Sequence, residues 1–505
     1  MKEIHYVFAV CIIIALTVVM QNKYENKGPY GYDEADYSYA ASKGILANYT
    51  DQNALPFSTF IESGTSMGKD KTKRTELSEL IRTSDDISFY RHYHGPLFYY
   101  WLSIIRGIDS NGYEGAARKL SMVLLGILAC VLLWGASKEY NLSFPLALLP
   151  MLLLFICQMN MMTAALLTPH AIYAITSLLA LVLLSRFLRT NKQSDWYAML
   201  GALALAFLSI EYAVLVAATV VACLFIWRKN IFAARKPIPF ILTSLGIFLG
   251  VIGVLWIGGI VKLTLLKNYI FFTYFTIVRG GEFGSGSFFD VWGARIIESP
   301  IVCTVVIATV IYSLVRIRKI GVALPLLFYP LLVTLTSLRN TSTSPTYVSS
   351  IFPPLFLLAA IILYQLLGDK KTILASAIVF PIVIGGFFFL KVPKPNYRTD
   401  MMIRLTTNFV REHRENDSVI LVPRTYLPSL HYYDTTVRFS GYDEQFDDTT
   451  TIQYLLSTRH PQGMLYIGKN PERYLGVLQQ SYRVHADSIT TDQTDKSIYF
   501  FLRPL

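Results

Sequence analysis

Stretches of apolar residues long enough to cross a bilayer recur along most of this chain, and no other feature constrains its fold so tightly. Crossing about 30 Å of hydrocarbon takes roughly 20 helical residues. Eleven stretches reach or approach that length: 4–21, 118–136, 143–158, 163–188, 196–210, 212–227, 238–261, 297–315, 321–338, 347–367 and 372–390. They predict a polytopic α-helical membrane protein of about 11 spans. Composition agrees: 53% of the 505 residues are hydrophobic and 16% charged, where a soluble domain carries roughly 25% charged residues. Soluble multidomain enzymes and secreted disulfide scaffolds are thereby excluded. Cys11, Cys130, Cys157, Cys223 and Cys303 all fall inside apolar runs, with neither disulfide nor zinc spacing. The first run lacks a strongly basic flank and a small-residue cleavage motif, so it is expected to remain as an anchor.

Charge sets the orientation. The run from Tyr197 to Trp227 would be roughly 46 Å long as one helix, too long for a single upright crossing. Arg186, Arg189 and Lys192 precede it, and Arg228, Lys229, Arg235 and Lys236 follow it. The positive-inside rule puts both ends in the cytoplasm, so the chain is expected to go out and return, turning near Ser209-Ile210-Glu211-Tyr212. Lys138, Arg316, Arg318, Lys319, Lys370 and Lys371 fall on the same side, with the N-terminus. These loops hold 13 Lys and Arg against three acids, which accounts for nearly all of the formal charge of +11. The segments left outside are close to balanced, with 10 basic and 13 acidic residues in 22–117 and 14 and 13 from Lys391 onward. No outer basic patch exists for a nucleic acid, despite an isoelectric point near 9.2.

Two domains are expected. Residues 1–390 form a membrane domain with a large outer loop, 22–117, and residues 391–505 form an external α/β domain, periplasmic or extracellular. In that tail the strand-like runs Ser418–Val422, Met464–Ile467 and Ser497–Leu502 alternate with polar helical stretches. A second outer loop carries the glycine-rich segment Arg279–Ser287, which suits a hinged flap.

Proteins with this many spans are most often transporters or channels, which place ionisable residues at mid-membrane and show duplicated halves. Here Glu211 is the one acid within an apolar run and His170 its main companion, while other polar groups gather outside at span ends. That distribution suits an enzyme working at the outer interface; a lipid or solute transporter or flippase of the cell envelope is the alternative.

Three outer clusters carry chemistry. Gly31-Tyr32-Asp33-Glu34-Ala35-Asp36-Tyr37 sets three carboxylates within four positions, which fits a general base, a site for a divalent cation, or a helix N-terminus. Tyr90-Arg91-His92-Tyr93-His94-Gly95-Pro96-Leu97-Phe98-Tyr99-Tyr100-Trp101 runs from cations through a helix-starting proline into aromatics. It suits a phosphate above an isoprenoid chain, or an interfacial aromatic belt. Gly115-Ala116-Ala117-Arg118-Lys119-Leu120 opens the second span with cations that either snorkel or meet a phosphate.

In order and spacing these clusters resemble the polyprenyl-phosphate-dependent family 39 and related C-type glycosyltransferases, the group of the protein O-mannosyltransferases and lipid A aminoarabinose transferases. The resemblance is fullest over residues 30–135. Thr168-Pro169-His170, Tyr347-Val348-Ser349-Ser350-Ile351-Phe352-Pro353-Pro354 and the tail segment Leu427–Tyr433 followed by Val437 extend it, the last resembling a strand of the family's external domain. This sequence departs from the pattern where Gly95 follows His94 in place of proline, where Asp36 replaces an arginine, where His170 replaces an aspartate, and where Glu211 replaces a lysine.

The resemblance implies a transferase that moves a sugar, hexosyl or pentosyl, from a polyprenyl-phosphate donor to a hydroxyl of an envelope acceptor, whether lipid, glycan or protein, on the outer face with inversion. It assigns the catalytic carboxylate to Asp33, with Glu34 beside it, and the donor-phosphate cation to His94. Arg91 and Arg118 are further phosphate candidates, with Arg279 and Arg339 in reserve. Asp36, Tyr37, Tyr93, Tyr99, Tyr100, Trp101, His170, Glu211 and Tyr347 are candidates to line the substrate and lipid. No cofactor is required, although a divalent cation at Asp33, Glu34 and Asp36 is admissible. The short form with an external tail implies a bacterial inner membrane.

Overall fold

The computed structural model describes residues 3–23, 32–51, 57, 94–109, 113–233, 235–273, 287–338, 346–367, 381, 385–387, 390, 397–413, 419–423, 426–434, 437–442, 449–468, 472–490 and 496–505. They divide into two compact units.

The first unit, residues 1–26, 93–261 and 268–394, is helical. Among the described residues, five helices are long and apolar enough to cross a membrane: Glu3–Lys23, Gly115–Glu139, His170–Thr190, Pro237–Leu255 and Thr346–Leu367. Three bent pairs raise that to eight if each is one crossing: Phe144–Ile156 with Gln158–Ala165, Phe288–Glu298 with Pro300–Val315, and Ile317–Ala323 with Pro325–Thr336. Proline opens several of these helices, at Pro237, Pro300 and Pro325, where its missing N–H costs nothing.

The apolar run 197–227 breaks where its length and flanking charge require, between helices Gln193–Phe207 and Ala213–Ile226. The stretch expected as one span over 163–188 differs. Its helix begins only at His170, because Pro169 disfavours a helical conformation at Thr168, and Gln158–Ala165 is a separate helix bent 62° from the one before it. The run 372–390 lies mostly outside the described residues.

Side chains such as Leu153, Leu154, Phe155, Leu181, Phe187, Leu357 and Leu358 are completely buried in the interior of this unit. Val221, Phe225, Ile241, Leu242, Leu245 and Val254 stand exposed on its outside, as a hydrocarbon solvent allows. At one end, two of the basic loops meet. Buried Glu139, in a π-helical turn, accepts from Arg186 Nη1 at 3.1 Å and Arg189 Nη2 at 2.9 Å, and Arg186 Nε reaches Asp195 at 2.9 Å.

The second unit gathers residues 27–92, 262–267 and 395–505. Its centre is a five-stranded mixed sheet of β1 (Val419–Pro423), β2 (Arg438–Tyr442), β3 (Gly463–Gly468), β4 (Tyr482–Thr490) and β5 (Lys496–Pro504), in the order β2-β1-β3-β5-β4. β1 pairs in parallel with β2 and β3, and β5 pairs antiparallel with β3 and β4. Alternation along the strands covers both faces. Leu421, Met464, Tyr466, Phe500 and Leu502 pack with Ile452, Leu455 and Leu478 of helices Thr449–Arg459 and Glu472–Leu478. Ile420, Val422, Leu465 and Tyr499 pack with Val410, Leu427 and Leu430 of helices Tyr397–His413 and Leu427–Tyr433.

The expected α/β tail is therefore present, with β1, β3 and β5 at the three strand-like runs. Leu427–Tyr433 is a helix, not a strand: Pro428 sits in its first turn, and the strand follows at Arg438.

Candidate active site

The segment bearing His94 is held from three directions inside the helical unit. Pro96 leads into helix Leu97–Ile108, whose buried face is Phe98, Tyr99, Leu102 and Ile105. The Leu97 N–H donates to the Leu208 carbonyl at 3.0 Å, tying this helix start to the turn after Phe207. Gly95 makes the approach possible, since a Cβ there would lie 2.2 Å from the Leu208 carbonyl oxygen. Asn268 Nδ2 donates to the His94 carbonyl at 3.3 Å. The side chain is fixed as well: His94 Nδ1 lies 3.1 Å from Glu211 Oε2, with the two side chains 15% and 6% exposed.

Behind this pair lies a layer of rings and hydroxyls. His170, the first residue of its helix, is close enough to His94 to interact with it electrostatically. Its ring meets Tyr347 edge-on at 5.5 Å and Tyr212 at 6.3 Å. The Tyr173 hydroxyl donates to the Tyr212 carbonyl at 2.9 Å, and Tyr329 Oη contacts both Tyr173 Oη at 2.9 Å and Ser350 Oγ at 2.8 Å. This chain braces the turn that presents Glu211. A buried hydroxyl network in low dielectric is rigid only when satisfied, and here its members satisfy one another.

In the second unit, Asp33 and Glu34 occupy the first turn of helix Tyr32–Ser42, where the helix dipole favours negative charge. Asp33 is exposed, Glu34 buried and Asp36 half-buried, while Tyr37, Tyr39, Ala40 and Ala41 are buried. The helix packs against Leu427–Tyr433. Of the three carboxylates, Asp33 is thus the one open to a reactant. Among the described residues no three His, Cys, Asp or Glu side chains converge as a metal-holding group.

The structure thus brings together His94, Glu211, His170 and Tyr347 from four distant parts of the chain. Arg118 is buried in the first turns of helix Tyr113–Trp134. Tyr99 is fully buried, Tyr100 Oη donates to the Leu255 carbonyl at 2.8 Å, and Trp101 is half-buried. Arg91, Tyr93, Arg279 with its glycine-rich loop, and Arg339 lie outside the described residues. Sequence reasoning missed Asn268, Tyr173 and Tyr329, and gave Ser350 only as part of the segment Tyr347–Pro354. Only Tyr173 left a signal, standing three positions after His170 and so on the same helix face.

Comparison with known proteins follows the same line. Residues 93–257 match the family model described as dolichyl-phosphate-mannose-protein mannosyltransferase. No curated relative matches the sequence. By structure the chain is similar to ArnT from Cupriavidus metallidurans bound to undecaprenyl phosphate, at 12% identity and a TM-score of 0.60 over 97% of each chain. The apo state of the same protein gives 0.59. The apo oligosaccharyltransferase of Archaeoglobus fulgidus gives 0.63 at 10% identity, over 96% of this chain and 73% of the other. The family match thus covers residues 93–257, and along nearly its whole length the chain shares the fold of these membrane transferases.

Proposed function

We propose that this protein transfers a sugar from a polyprenyl-phosphate donor to a hydroxyl group of an envelope acceptor at the outer membrane face, with inversion. The observation that carries this reading is the half-buried His94, held by Glu211 at the head of helix Leu97–Ile108, at the position the family pattern assigns to the donor phosphate. The fold likeness to a protein holding undecaprenyl phosphate supports the same donor class.

The reaction is a single displacement. The acceptor oxygen forms a bond to the anomeric carbon as the bond from that carbon to the phosphate oxygen breaks, its electron pair leaving with the phosphate. Asp33 takes the acceptor's proton. Asp33 is exposed and Glu34 buried, which favours the former as base. Negative charge grows on the departing phosphate, and His94 and Arg118 are the groups assigned to stabilise it. Tyr347, half-buried against the His170 ring, is the aromatic residue suited to give a stacking face to a sugar.

The test is to incubate the purified full-length protein in lipid with radiolabelled polyprenyl-phosphate sugars and envelope fractions. The reading expects label to pass to one acceptor fraction; failure with the whole panel would count against it.

A further inference from the structure

We propose that Glu211 is a positioning residue for the donor-phosphate contact: it holds the His94 ring by Nδ1, so that Nε2 is the nitrogen presented to the phosphate. This deepens the proposed function and rests on it. The sequence pattern that assigns His94 to the phosphate has no place for a carboxylate beside it, and an acid near a bound phosphate is electrostatically adverse unless a cation intervenes. Here the carboxylate is buried, 6% exposed, with His94 Nδ1 at 3.1 Å from Oε2. Among the described residues its other oxygen, Oε1, has no hydrogen-bond partner. The contact with His94 is therefore the side-chain hydrogen bond that supports this carboxylate, in a setting where an unpartnered buried charge costs several kcal/mol.

The direction of that bond follows from the inventory of donors. An ionised carboxylate only accepts, so Nδ1 carries the proton that joins them. Nε2 takes no part in that bond and is the nitrogen assigned to the phosphate, to which it donates whenever the ring carries a proton there. In this role Glu211 exchanges no proton with the substrate; its part is orientation, as with the acid of a catalytic triad. The other groups around the pair fit that division. His170 is close enough to His94, and Tyr269 to Glu211, to interact electrostatically, and Asn268 holds the His94 backbone. The turn carrying Glu211 is locked to the segment carrying His94 by the Leu97–Leu208 hydrogen bond.

The experiment measures undecaprenyl phosphate affinity of the full-length protein in nanodiscs for Glu211→Leu, Glu211→Gln, His94→Gln and the double variant Glu211→Leu with His94→Gln. Glu211→Leu should weaken binding at least tenfold. Glu211→Gln, whose amide oxygen still accepts from Nδ1, should recover most of that loss. In the His94→Gln background, Glu211→Leu should add less than twofold. Wild-type affinity in Glu211→Leu, or the same fold loss with and without His94, would overturn the positioning role. Should Glu211→Leu not fold, Glu211→Asp replaces it: the shorter acid keeps its charge but withdraws the oxygen, and unchanged affinity would equally overturn the proposal. Transfer assayed on the same preparations separates the two readings. Active wild type with unaffected Glu211 variants overturns the positioning role alone, and wild type that does not bind undecaprenyl phosphate overturns both.

Discussion

Gly95 and Leu208 approach so closely that no side chain fits between them: a Cβ on Gly95 would stand 2.2 Å from the Leu208 carbonyl oxygen and 2.7 Å from its Cα. These are backbone atoms and cannot rotate away. Gly95→Ala should therefore push helix Leu97–Ile108 off the 208–212 turn, at a cost of roughly 2 kcal/mol or more. Gly201, in helix Gln193–Phe207, has nothing within 4 Å of an added Cβ, so Gly201→Ala should be neutral or stabilising by up to about 1 kcal/mol. Melting of the two variants in detergent makes the comparison, and equal melting temperatures would show the close approach to be unimportant.

Tyr329 joins Tyr173 and Ser350 by its hydroxyl while itself completely buried. Tyr329→Phe keeps the ring and takes a hydrogen bond from each of two buried hydroxyls, which should cost about 1–3 kcal/mol. Because the Tyr173 hydroxyl also bonds the Tyr212 carbonyl, the loss should be felt next to Glu211. The expected readout is a lower melting temperature together with weaker undecaprenyl phosphate binding. Lower stability with unchanged binding would separate the network from the site.

Glu139 anchors two arginines at the opposite kind of feature, a charged loop end. Arg186 and Arg189 are 40% and 41% exposed, so water takes over much of their solvation when the acid is removed. Glu139→Ala should thus destabilise by only about 1–2 kcal/mol, seen as a modest fall in melting temperature with transfer retained. Complete loss of folded protein would mean that the network has a larger structural role than its exposure indicates.

The same basic loops define the expected orientation. In a cysteine-free background, Lys319→Cys should be protected from an impermeant maleimide added outside the cell membrane, and His485→Cys, in the five-stranded sheet and highly exposed, should be labelled. The reverse pattern would invert the topology.

Much of this architecture was legible because it follows from solvent. Apolar length and flanking charge located the break between Gln193–Phe207 and Ala213–Ile226, and alternating β-formers located β1, β3 and β5. The family resemblance misled at Leu427–Tyr433, which it likened to a strand while Pro428 in fact opens a helix. The late start of helix His170–Thr190 was hidden inside a continuous apolar run, although Pro169 was its cause. The His94–Glu211 pair could not be read at all. Its partners stand 117 positions apart, and hydropathy marks Glu211 as an oddity without saying what it faces. Asn268, in a helix of unremarkable sequence, gave no sign that it would hold the His94 backbone.

In the proposed reaction, exposed Asp33 in the first turn of helix Tyr32–Ser42 takes the acceptor's proton. The most direct test of that step is transfer from a radiolabelled undecaprenyl-phosphate sugar by the wild type and by Asp33→Asn, matched for folded protein and donor affinity. Label should reach the acceptor with the wild type, and Asp33→Asn should lose at least a hundredfold in rate while binding undecaprenyl phosphate normally. Transfer by Asp33→Asn within tenfold of wild type would contradict the account.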